Sequence, residues 1–171
     1  MQLVRRDAGV RVLVCTPSNA EADLLVESLA AAGLDSDKLY RLDAPSLYEE
    51  DTLEDVQSSS RFPGLERLLA FRVVLSTCSS ASMLKALDVP IGHFSYVVID
   101  DATQAEEPLA MIPIMAFSNA HTNVILAGDP NQLGPIIKSP AAAKAGLGKS
   151  YLERLMLIRD VYGLDTQAGK T

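Results

Sequence analysis

The chain of 171 residues has two cysteines and two histidines, too few and too scattered for a metal centre or a disulfide scaffold. Cys15 and Cys78 each end an apolar, β-branched run, and His93 and His121 stand alone. Both thiols read as buried and reduced, and no Cys/His pair is available for nucleophilic work. Long apolar runs are missing too. The richest stretch, Leu109 to Phe117, is short and carries Pro113, and the opening Arg5-Arg6-Asp7 has no apolar core behind it. These absences exclude a membrane-embedded reading of the sequence and predict a soluble, cytoplasmic protein. Basic charge is also scarce. A formal net charge of -7 and an isoelectric point near 4.8 exclude a broad cationic surface, so any nucleic-acid site must be local.

The remaining composition is ordinary: 48% hydrophobic, 22% charged, ten Gly and nine Pro. A chain of this length buries roughly 70% of the surface it exposes when unfolded, enough for one core. The charge is unevenly placed. Residues 34–70 hold most of the acidic excess together with Ser58-Ser59-Ser60 and Pro63-Gly64, and read as a long, mobile connection with a short helix at Leu65 to Ala70. From Lys138 onward the balance turns basic.

Four apolar runs, Val10 to Cys15, Phe71 to Ser76, Tyr96 to Ile99 and Asn123 to Ala127, are each followed by a break and then a helical pattern. That alternation predicts an α/β domain with a mainly parallel sheet. Helices are expected at Ala20 to Ala32, with Leu24, Leu25, Ser28 and Leu29 as its stripe, at Ser79 to Leu87, at Ala105 to Met111 with Pro108 in the first turn, and at Lys149 to Tyr162 with Leu152, Leu155, Met156 and Arg159 as its stripe.

Two strand ends carry chemistry. Tyr96-Val97-Val98-Ile99 runs into Asp100-Asp101, which places two carboxylates beyond a strand's carboxyl end, where open parallel sheets bind ligands. One acid holding Mg²⁺ through water and a neighbour handling the attacking water is what phosphoryl transfer asks for, although an acidic helix-capping turn reads the same way. Val124-Ile125-Leu126-Ala127 runs into Gly128-Asp129-Pro130-Asn131-Gln132, and the uncharged amide of Gln132 can bond both a γ-phosphate oxygen and a water.

With these motifs in order, the sequence resembles the superfamily 1 RNA helicases of the Armitage and silencing-defective branch, related to the nonsense-mediated-decay helicase. Residues 15–23, Cys15-Thr16-Pro17-Ser18-Asn19-Ala20-Glu21-Ala22-Asp23, are similar to motif Ia, residues 97–108 to motif II, and residues 128–135 to motif III. Gly146 to Leu155 is similar to the continuation of that branch. The resemblance implies a three-layer RecA-like domain of the P-loop NTPase type over residues 1–171, part of a helicase's first motor domain. It implies ATP and Mg²⁺ as cofactors, with Asp100 near the metal through water, Asp101 as catalytic base, and Gly128, Asp129 and Gln132 at the nucleotide. It implies single-stranded RNA along Thr16, Pro17, Ser18 and Asn19, with Thr77 as a further contact. As partners it implies the remainder of a helicase or an RNA-silencing or RNA-decay complex.

The sequence departs from the family in two ways. Asp101 stands where the family carries Glu, and nine residues before Val10 leave no room for a G-x-x-x-x-G-K-[ST] phosphate loop. Gly148-Lys149-Ser150 and Gly169-Lys170-Thr171 imitate its end, but Ala143 and Leu164 occupy the positions of its first glycine. The first of these reads as a helix start, with Ser150 and Glu153 near its first turn. The chain is therefore expected to be a helicase fragment that is inactive alone; the alternative is a degenerate, non-catalytic module that binds RNA or protein. Without a phosphate-loop strand beside it, Asn123 to Ala127 is expected at a sheet edge.

Overall fold

The computed structural model describes residues 2–43 and 63–157. Among these residues five strands form one all-parallel sheet: β1 (Val12–Thr16), β2 (Leu39–Arg41), β3 (Val73–Thr77), β4 (Tyr96–Ile99) and β5 (Asn123–Leu126), in the order β2-β3-β1-β4-β5. The helices are α1 (Gln2–Arg6), α2 (Asn19–Ala31), α3 (Leu65–Ala70), α4 (Ala81–Ala86), α5 (Glu107–Phe117), α6 (Pro140–Ala142) and α7 (Tyr151–Met156), with a π-helical turn at Ala143–Leu147 between the last two.

Alternation along the strands feeds two apolar layers. Val12, Val73 and Leu75 face α2, where Ala22, Leu25, Val26 and Leu29 meet them. Leu13, Cys15, Val74, Val97 and Ile99 face the other way, onto Leu68 of α3, Ala81 and Leu84 of α4, and Phe117 of α5. Helices on both faces of a parallel sheet give the three-layer α/β, RecA-like architecture. The layer carrying α2 stops short of the far side of the sheet. Tyr96 and Val98 are half-buried there, and Val124 and Ile125 of the edge strand β5 are each 40% exposed.

Several elements differ from the sequence reading. The connection 34–70 contributes strand β2, whose three residues pair with β3; its residues 44–62, where mobility was expected, lie outside the described residues. The helix after motif II starts at Glu107, because residues 100–105 are turns, and continues through Pro113 to Phe117. Pro113 is fully buried, so packing outweighs the lost backbone donor. Leu24, assigned to the buried stripe of α2, is 63% exposed, and Ala22 is the residue buried there. The final helix is described from Tyr151 to Met156, leaving Arg159 outside the described residues. Helix α1 had no counterpart in the sequence reading: it is held by buried Val4 and by the Arg72 guanidinium, which donates to the carbonyls of Val4, Asp7 and Val10. Among the described residues no helix is long and apolar enough to cross a membrane.

Candidate functional site

The strands end almost level. Thr16 lies opposite Thr77, Cys15 opposite both Ser76 and Ile99, and Ile99 opposite Leu126. Residues 16–19, 77, 100–104 and 127–132 therefore leave the sheet along one rim, the carboxyl end of a parallel sheet. The ladder continues past the formal strand ends: Asp100 N–H donates to the Cys15 carbonyl at 2.8 Å, and Ala127 N–H to the Ile99 carbonyl at 2.8 Å.

Two turns then meet directly. Ala102 N–H donates to the Ala127 carbonyl at 2.7 Å, tying the Asp100-Asp101 turn to the start of the Gly128 turn. Asp101 adopts φ 49°, a left-handed conformation in which a non-glycine residue is uncommon. Its carbonyl accepts from Gln104 N–H at 2.8 Å, closing the turn. Asp100 and Asp101 are both half-buried at this rim.

Asp129 is exposed and organises its own turn. Its carboxylate accepts from the Asn131 backbone N–H at 2.9 Å, the Asn131 side-chain amide at 3.1 Å and the Gln132 amide at 3.5 Å. The backbone donor of Asn131 is the main cause holding this carboxyl below the usual range. Gln132 thus turns toward Asp129. Together with Asn131, Leu133 and Gln104 it lines an open cavity of about 450 Å³, so a second carboxamide, from the motif II turn, joins the candidate set. Asp100 and Asp101 are not among the residues lining that cavity.

On the RNA side, the residues taken from motif Ia separate into two groups. Thr16 is fully buried, and its hydroxyl donates inward to the Ser18 carbonyl at 2.8 Å. Thr77 is nearly as buried: its hydroxyl donates to Ser80 Oγ at 2.9 Å and accepts from Ser80 N–H at 3.0 Å. These two side chains shape turns and do not line a surface. Ser18 caps α2 in a reciprocal box, accepting from Glu21 N–H at 3.3 Å while its own N–H donates to the Glu21 carboxylate at 3.0 Å. Pro17, Ser18 and Asn19 are half-buried and reach solvent.

Sequence reasoning missed Arg41. Its guanidinium donates to Asn19 Oδ1 at 3.0 Å and to Asp23 at 3.0 Å, setting a cation beside the motif Ia turn. The available signal was the run Leu39-Tyr40-Arg41-Leu42, apolar within an acidic region, but three residues make a weak strand pattern.

Cys15 and Cys78 are free and buried, as expected. Burial raises both thiols, Cys78 to about 12, which removes them as nucleophiles. Gly148-Lys149-Ser150 forms a helix start, as its second reading had it: Ser150 caps α7 by accepting from Glu153 N–H at 3.1 Å. Gly169 to Thr171 lie outside the described residues.

Comparison with known proteins gives a consistent set of relatives. Residues 49–140 match the family model described as an AAA domain. The chain is 38% identical over 170 residues to a putative helicase mov-10-B.1 of Danio rerio, covering 94% of this chain and 17% of that protein. It is 39% identical over 160 residues to the RNA helicase Mov10l1 of Homo sapiens, covering 92% and 13% respectively. It is 34% identical over 198 residues to a probable RNA helicase armi of Drosophila melanogaster, covering 98% and 16%. The chain thus spans less than a fifth of the length of these curated relatives.

Proposed function

Because this chain belongs to the superfamily 1 RNA helicases, in the branch of MOV-10 and Armitage, we propose that its sheet rim is the nucleotide- and RNA-facing side of an ATP-driven helicase's first motor domain. One observation supports this reading above the others: the three turns resembling motifs Ia, II and III leave three adjacent strands, β1, β4 and β5, at one rim, and the last two are hydrogen-bonded to each other through Ala102 and Ala127. ATP hydrolysis, RNA substrate and partner complex are properties proposed for the longer protein to which such a domain contributes.

In this reading Asp100 holds Mg²⁺ through water. Its backbone is fixed by the bond to Cys15 and its carboxylate offers the hard oxygen donors that Mg²⁺ prefers. Bound there, Mg²⁺ would neutralise charge on the terminal phosphates. In the longer protein Asp101 would stand where a base for the attacking water is needed, and Gln132, with Gly128 and Asp129 shaping its turn, would offer its amide to that water and to the γ-phosphate. Pro17 and Asn19, the first amides of α2 and the Arg41 guanidinium form the local RNA-backbone contact that an acidic protein requires.

The chain carries no G-x-x-x-x-G-K-[ST] loop to cradle the phosphates. Binding of ATP·Mg²⁺ to it is therefore expected to be weaker than roughly millimolar, with no measurable turnover. Titration of a fluorescent ATP analogue with and without Mg²⁺, on this chain and on Asp100→Ala, tests the assignment. A Mg²⁺ dependence that survives the substitution overturns the role of Asp100, and steady-state phosphate release would overturn the expectation of inactivity. Asp101 favours a second reading, a helicase-like module that binds RNA without hydrolysis, because it is one methylene shorter than the Glu of the family and starts from a left-handed backbone. Single-stranded RNA binding without any Mg²⁺-dependent nucleotide binding would select that reading.

A further inference from the structure

The excursion that carries Gln132 is tied at both ends to the motif II segment. Residues 127–139 form no helix or strand, and Leu133 and Ile136 within them are largely exposed, so little local structure fixes the position of Gln132. At one end Ala127 accepts from Ala102 N–H. At the other end the chain passes through α6 and the π-helical turn, swings on Gly146 at φ 108°, and returns so that Ser150 makes an isolated antiparallel bridge with Glu106. Ser150 is buried at that bridge.

One helical turn later the return is locked by a two-pronged ion pair. Arg154 Nε and Nη2 donate to the two carboxylate oxygens of Glu107 at 2.7 and 2.6 Å, across 47 residues of sequence. The guanidinium also lies over the Tyr151 ring at 5.2 Å. An exposed ion pair ordinarily contributes little, but fork-to-fork geometry with a stacked guanidinium is the arrangement that fixes direction as well as distance. Glu107 is the first residue of α5, six residues after Asp101, so the pair acts on the end of the same turn that presents the motif II carboxylates.

The geometry points to Glu107–Arg154 as a positioning pair: a latch that closes the 127–150 excursion onto the motif II segment and so sets where Gln132 stands relative to Asp100 and Asp101. This inference rests on the role proposed for Gln132 but concerns distance, which is measured without nucleotide. Releasing the latch leaves the far end held by the Ser150–Glu106 bridge alone, while the Ala102–Ala127 bond keeps the near end in place.

Spin labels on cysteines introduced at Leu133 and Met115, both exposed, report the separation of the excursion from α5, and the buried native thiols stay unlabelled. In the otherwise unchanged chain a single narrow distance distribution is expected. Arg154→Gln and Glu107→Gln should each broaden it, and the charge exchange Glu107→Arg with Arg154→Glu should narrow it again, while far-ultraviolet circular dichroism stays the same. Gly146→Ala, which meets nothing within 4 Å, should broaden it through backbone strain alone. Raising salt from about 0.05 M to about 1 M, where the screening length falls to about 3 Å, should broaden it with no substitution at all. An unchanged distribution in the single variants and in high salt overturns the latch, as does an exchange variant that folds but stays broad. A Mg²⁺ dependence of nucleotide binding that survives Asp100→Ala would overturn the functional reading and leave these distances unaffected.

Discussion

A β-carbon placed on Gly128 would stand 3.0 Å from the backbone nitrogen of Thr103 and 3.1 Å from its hydroxyl. The glycine at the head of the motif III turn therefore serves close approach: it lets that turn lie against the backbone of the motif II turn.

Gly128→Ala should lower the free energy of unfolding by about 1–3 kcal/mol, because backbone cannot yield as a side-chain tip does. Urea denaturation checks this. A variant as stable as the parent would show that the turns have room to separate.

Thr16→Val should cost about 1 kcal/mol, since the Ser18 carbonyl loses the hydroxyl donor and keeps only Ala22 N–H, and should leave RNA binding unchanged once stability is matched. Asn19→Ala and Arg41→Ala should instead weaken single-stranded RNA binding alike for every sequence, in filter-binding titrations across salt. The reverse pattern would return Thr16 to the surface role the motif suggested.

The open edge gives an alternating signature. Asn123 N–H donates to the Ser95 carbonyl at 2.9 Å and Ala127 N–H to the Ile99 carbonyl at 2.8 Å, so the amides between them at Val124 and Leu126 point away from β4. Hydrogen exchange should be fast at Val124 and Leu126 and slower at Asn123, Ile125 and Ala127. Uniform protection would mean that another strand covers this edge.

Because that edge is uncharged, concentrated chain should self-associate through it. Ile125→Lys is expected to reduce the association seen by light scattering, with a change in monomer stability within about 0.5 kcal/mol.

His93 supplies a pH dependence. Burial, with Arg11 nearby, lowers its pKa from the ordinary value of 6.5, and its Nε2 is buried with no hydrogen-bond partner among the described residues. The unfolded chain takes up the proton first as pH falls, so this contribution is complete above the unfolded value and is lost as pH drops below it. Thermal melts between pH 7.5 and pH 5.5 should show that loss, and His93→Gln should diminish it.

The four long strands were legible in the sequence because continuous Val, Ile and Leu runs ending in Thr-Pro-Ser, Thr-Cys-Ser, Asp-Asp and Gly-Asp mark both a buried parallel strand and its exit turn. Strand ends shifted by no more than two residues, since hydrogen bonding and not hydrophobicity decides the last residue. Strand β2 was illegible because Leu39-Tyr40-Arg41 is too short to show a period, and its pairing depends wholly on β3. The far end of α5 was illegible because the rule against proline in helices is local, whereas the packing that buries Pro113 is tertiary. The candidate site was legible as motifs, but not as partners: nothing in Thr16 announces an inward hydroxyl, and nothing in Arg154 announces Glu107.

The level ends of the strands turn strand length into a ruler. Val12 sits opposite both Val73 and Tyr96, and Tyr96 opposite Asn123, so four strands start together as well as finish together. Removing one residue from β4 would draw Asp100 back by about 3.3 Å and point it to the opposite face of the sheet. An insertion between Ser118 and Thr122, at the amino end of β5, would leave that rim where it is. A change of length inside a strand is therefore felt at the rim, whereas a change in the loops that enter the strands at their amino ends is not.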